Sequence, residues 1–102
     1  AVSPACFLTA RSLEQIKNDV AYSDMPVVLV GISGGVSYGA LGSTHHSTHD
    51  VVVLRAIPNI EIVIPADNYE TEQAVIAASK SKKPVFMKYL ILCNIFGIID
   101  FG

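Results

Sequence analysis

Tryptophan is absent from the chain, cysteine occurs twice, and charged side chains make up only 16% of 102 residues. Cys6 and Cys93 lie far apart and form no CxxC pair, which excludes a disulfide framework and a cysteine metal site and makes a reducing cytoplasm the expected setting. A basic run and an interleaved aromatic platform are also missing, and the net charge is -2 with a pI near 5.8. The electrostatic footprint that a phosphate backbone needs is therefore absent, which excludes nucleic acid as a partner. No basic segment followed by an apolar stretch opens the sequence, so a secretory signal is not expected. The apolar run from Leu90 to Ile99 is shorter than the roughly 20 residues that span a bilayer, so no membrane partner is expected.

What the chain has is apolar material. Hydrophobic residues make up 51%, ample for the core of one domain and generous for so short a chain to bury alone. A partner is expected to cover part of the surface. Short apolar runs alternate with helix-period segments, the pattern of β-α-β units and a mostly parallel sheet in a three-layer α/β fold. Ala5 to Thr9 reads as a strand. Leu13, Ile16, Val20 and Ala21 then form one helical stripe ending near Tyr22. Ser23 to Pro26 is a turn, and Val27 to Ile32 is apolar throughout, as suits a central parallel strand.

A long loop follows from Ser33 to His49. Ser47 or Thr48 is placed to cap a helix from Asp50 to Ile57, which Pro58 stops. Glu61 to Pro65 supplies another strand. Asp67, with Glu70 three residues on, reads as a capping box before a helix containing Thr71, Ala74, Val75 and Ala78, with Lys80 to Lys83 at its negative end. Pro84 to Tyr89 is the last strand, which sets a domain over 1–89 and leaves 90–102 as an apolar terminus of unknown role. Ligands of open α/β sheets sit outside the carboxyl ends of strands, so the loop after Ile32 is the first place to look for function. It contains Thr44, His45, His46 and His49, and imidazoles move protons near neutral pH or bind metal.

The stretch from Gly39 to Asp67, GALGSTHHSTHDVVVLRAIPNIEIVIPAD, resembles the segment of transketolases and 1-deoxy-D-xylulose-5-phosphate synthases that runs G-x-x-G-x-T-H-Q, L-R, I-P-N and P-A-D. The likeness extends from Phe7 to Tyr89. It implies a thiamine-diphosphate-binding fold, here an incomplete pyrimidine-binding domain, and transfer of a two-carbon ketol unit between sugar phosphates. His45 falls on the histidine of T-H-Q, which implies a catalytic and substrate-binding role. Phe7 resembles the aromatic residue that packs on the cofactor's aminopyrimidine, and Lys88 stands where a basic residue binds substrate phosphate. The resemblance places the family's catalytic glutamate upstream of Ala1. It also assigns the diphosphate and its Mg2+ to another domain or subunit. The isolated chain is thus expected to be inactive and to work within a homo- or hetero-oligomer.

Three positions depart from the transketolase pattern. Leu41 replaces an acidic residue that helps to read sugar stereochemistry, His46 replaces a glutamine, and Ser33 replaces a substrate-binding histidine. These departures leave open a fragment of 1-deoxy-D-xylulose-5-phosphate synthase or a 2-oxo acid decarboxylase relative, and the glutamate expected upstream of Ala1 leaves open a non-catalytic remnant. From the residues alone, His45 and His49 also lie i, i+4, as a metal-binding module would need, but no third ligand is evident. Asp67 is assigned to the helix cap.

Overall fold

The structure, a computed structural model, describes residues 1–89. Four strands form one all-parallel sheet in the order β1-β2-β4-β3. They are β1 (Val2–Pro4), β2 (Val28–Ile32), β3 (Glu61–Val63) and β4 (Val85–Lys88). The helices are α1 (Ala5–Arg11), α2 (Leu13–Gln15), a π-helix (Ile16–Tyr22), α3 (Asp50–Arg55) and α4 (Asn68–Lys80). The α/β expectation holds, and so does the parallel sheet.

Chain direction decides which face each helix covers. The steps from β1 to β2 and from β2 to β3 move the same way across the sheet, and the step from β3 to β4 reverses. Right-handed crossovers then put the first helices on one face and α4 on the other. The core divides accordingly. Leu8, Ile16 and Leu54 pack with Leu29 and Phe86 on one side, while Ala78 packs with Val85, Met87 and Tyr89 on the other. Gly31 makes the first packing possible, because a Cβ there would lie 2.9 Å from the Phe86 ring and 3.0 Å from Ala5. All four residues of β4 are buried, as befits a strand flanked on both edges and covered on both faces.

The first element differs from expectation. Ala5 to Thr9 is the body of helix α1, and the strand is the shorter Val2–Pro4 before it. Ala5, Leu8 and Thr9 are buried at i, i+3 and i+4, a helical stripe that a five-residue apolar run hides. Thr9 donates its hydroxyl to the Ala5 carbonyl at 2.7 Å, which fits the helical turn. The next helix is also not uniform. It breaks at Ser12 and widens into a π-helix, where the five-residue step from Ile16 to Ala21 keeps both side chains buried. The expected stripe is nevertheless the one that faces the core.

The capping box before α4 is present. Asp67 Oδ1 accepts the Glu70 N–H at 2.8 Å, and Glu70 Oε2 reaches back to accept the Ala66 N–H at 2.8 Å. Thr71 and Ala78 are buried, whereas Val75 stays 39% exposed, so the stripe is narrower than the one expected. Strand β3 stops at Val63, short of the expected Pro65, and β4 is likewise shorter than the Pro84 to Tyr89 run. The apolar terminus lies outside the described residues.

Candidate functional site

Because every strand is parallel, the carboxyl ends of β1, β2 and β4 lie along one edge of the sheet. Phe7 stands in the first turns of α1, just past the end of β1, and not at a strand end as expected. The loop 33–49 leaves from the end of β2, and Lys88 closes β4. The three site residues expected from the sequence therefore share one edge. The loop opens with Ser33 at φ 54°, a left-handed conformation that a residue with a Cβ adopts rarely.

Within this edge the structure brings Phe7 and His45 into contact. Their ring centroids are 5.2 Å apart in an edge-to-face arrangement. On another side of the imidazole lies Tyr38, at 5.6 Å with an interplanar angle of 73°. The Arg11 guanidinium lies 4.4 Å from the centroid of the Phe7 ring, a cation–π contact. The Thr44 hydroxyl meets His45 Nδ1 at 2.9 Å, and no protein partner is present at Nε2 among the described residues. One nitrogen is thus used to orient the ring. His46 turns elsewhere: its Nε2 donates to the Gly39 carbonyl at 3.1 Å and braces the short 3-10 turn Gly39–Leu41. Leu41 in that turn is 55% exposed.

A second cluster joins the end of β4 to the start of α3. Lys88 is buried, and its Nζ donates to Asp50 Oδ1 at 2.8 Å. The same oxygen accepts the Val51 N–H at 2.7 Å, and Asp50 Oδ2 accepts the Ser47 hydroxyl at 2.8 Å. The expected cap of α3, a Ser47 or Thr48 side chain accepting from the helix backbone, does not form. Instead the Ser47 hydroxyl donates to Asp50, and His49 takes the cap position without a side-chain hydrogen bond. Gly34 lets the Lys88 stem pass: a Cβ at Gly34 would lie 2.4 Å from Lys88 Cε. Gly35 and Ser47 exchange two backbone hydrogen bonds, of 3.0 and 2.8 Å, and the Gly34 N–H reaches the Tyr89 carbonyl at 2.9 Å.

Sequence reasoning does not mark Tyr38, Ser47 and Asp50 as site residues. Tyr38 has no motif around it, and Ser47 with Asp50 three residues on has the appearance of an ordinary helix start. The signal that is available is the charge of Lys88 at the end of an otherwise apolar strand, which calls for a buried counter-charge.

The two clusters differ in what they can hold. A half-buried aromatic ring beside an imidazole with one free nitrogen suits a flat heteroaromatic group and a polar substrate. Among the described residues, no group of three or more His, Cys, Asp or Glu could hold a metal ion. His45 and His49 do not share a helix, since His45 lies in a turn ahead of α3 and His49 at its cap. Phe7 and His45 thus offer a ligand an apolar ring and one imidazole nitrogen. Among the described residues, no helix is long and apolar enough to cross a membrane.

Residues 5–89 match the family described as transketolase, pyrimidine binding domain. The chain is 52% identical over 85 residues to one of the subunits of apulose-4-phosphate transketolase from Phocaeicola vulgatus, covering 83% of this chain and 27% of that protein. It is 35% identical over 79 residues to 1-deoxy-D-xylulose-5-phosphate synthase of Methylibium petroleiphilum, covering 78% of this chain and 12% of that one. Among solved structures, a split-gene transketolase described as an inactive beta4 tetramer superposes with a TM-score of 0.74 at 26% identity, over 86% of this chain and 27% of its own. The chain therefore spans about a quarter or less of the length of these relatives.

Proposed function

The chain belongs to the transketolase pyrimidine-binding domain family, and on that premise we propose that it forms the pyrimidine side of a thiamine-diphosphate active site that transfers a two-carbon ketol unit between sugar phosphates. The observation that carries this reading is the meeting of Phe7 and His45, far apart in the chain, at 5.2 Å on the carboxyl edge of the sheet. When bound, the cofactor supplies the electron sink for breaking and forming a carbon–carbon bond beside a carbonyl. Phe7 presents an apolar ring against which the aminopyrimidine packs. His45, turned by Thr44 at Nδ1, presents Nε2 to a substrate hydroxyl, orients it and accepts or returns its proton.

The diphosphate and Mg2+ are held by another domain or subunit. A relative whose name makes it one subunit of a transketolase supports this division. Apulose 4-phosphate is the first donor to test, because the name of the relative at 52% identity contains it. A second reading, 1-deoxy-D-xylulose-5-phosphate synthesis, is favoured by the 35% identity to such a synthase and by Leu41 in place of an acidic residue.

The test is His45→Ala in the complete enzyme. Ketol transfer is expected to fall about 100-fold or more while thiamine diphosphate affinity, measured by calorimetry, changes little. Equal losses in both would remove the substrate-facing role. Transfer from pyruvate to glyceraldehyde 3-phosphate, without ketose donors being used, would establish the second reading instead.

A further inference from the structure

The resemblance assigns Lys88 to the substrate phosphate, yet its ammonium points inward. We propose that Lys88 and Asp50 are positioning residues for His45, joining the imidazole loop to the end of β4, and that Lys88 does not read the phosphate. The inference rests on the ketol-transfer reading for its functional consequence and on geometry for its structural one.

Lys88 is 6% exposed and Asp50 is fully buried, so a phosphate would have to enter a solvent-free space and compete with a carboxylate already 2.8 Å from the ammonium. Asp50 has both oxygens in use, one by Lys88 and Val51, the other by Ser47. Ser47 in turn is zipped to Gly35 by two backbone hydrogen bonds, so the two ends of the loop close on each other next to Gly34, which packs on the Lys88 stem. His45 lies two residues before Ser47, and its Nδ1 partner, Thr44, belongs to the same loop. The imidazole therefore goes where the loop goes, and the ion pair decides where that is. A side chain that acts this way changes turnover by displacing a reactive group, and misplacement by about 1 Å can cost ~100-fold.

The experiment uses the complete enzyme with Lys88→Met and Asp50→Asn combined. This removes both charges together and avoids an unpaired buried ion. The expected result is a fall in kcat of about 10–100-fold with phosphorylated and dephosphorylated donors alike, with little change in either KM. In a His45→Ala background the extra loss should vanish, since residues acting through one another are not additive. A readout that needs no turnover is the rate at which diethyl pyrocarbonate modifies His45 in the apoenzyme, followed by mass spectrometry. It should change when the loop loses its anchor.

A KM increase confined to the phosphorylated donor would overturn the proposal in favour of phosphate binding. A loss that multiplies with that of His45→Ala, or an unchanged rate of His45 modification, would overturn it as well. If the double variant does not fold, Ser47→Ala tests the same link without touching a charge, with smaller losses of the same pattern expected. Absence of ketol transfer in the unmodified enzyme would remove the functional reading, while the modification rate would still decide whether the pair holds the loop.

Discussion

Two clusters share the carboxyl edge of this sheet and are built on opposite terms. Phe7, Tyr38 and His45 meet through ring edges, stay partly open and leave one imidazole nitrogen without a protein partner among the described residues. Ser47, Asp50 and Lys88 carry a full ion pair, are sealed from solvent and have every buried side-chain polar atom bonded. The first leaves one polar atom without a partner among the described residues, and the second is satisfied within the chain. Reactive groups of this kind can be exchanged without harming the fold, whereas a buried charge can be kept only if its whole environment is kept.

Breaking the sealed cluster should have the largest effect. Asp50→Ala leaves the Lys88 ammonium buried without its carboxylate, a loss of about 3–5 kcal/mol, read as a lower denaturant midpoint and faster hydrogen exchange in β4. An intermediate effect is expected from Gly34→Ala. The added methyl would meet Lys88 Cε at 2.4 Å, and overpacking of this kind costs about 1–3 kcal/mol by the same measurement. The smallest change should come from the open cluster, where His45→Ala removes two ring contacts and lowers stability by about 1 kcal/mol or less. If His45→Ala destabilised the protein as much as Asp50→Ala, the two clusters would be one structural unit and the contrast between them would fail.

Local chemistry makes much of the fold legible in the chain. The Asp67 and Glu70 pair is readable because both partners of the cap lie within one turn of the chain. Val28–Ile32 is readable because an unbroken apolar run has few other places to go than the middle of a parallel sheet. Ala5 to Thr9 misleads for the same reason in reverse: five apolar residues are too few for periodicity to separate a strand from a helix, and Pro4 already ends the true strand. In the site, Phe7, His45 and Lys88 each stand out in the sequence, but Tyr38 and the link from Lys88 to Asp50 do not. Lys88 and Asp50 lie 38 residues apart, and no local pattern joins them.

By itself, then, the sequence determined the class of fold and marked Phe7, His45 and Lys88 as candidates, because these follow from hydrophobic spacing and from ordered motifs along the chain. The tertiary structure alone decided which of those residues meet and in what state. It turned Lys88 inward to Asp50, set Phe7 and Tyr38 around His45, and left a single imidazole nitrogen open to a ligand. The reason is physical: burial, ion pairing and ring contact depend on distance through space, and the parallel crossovers bring together segments whose separation along the chain carries no trace of it.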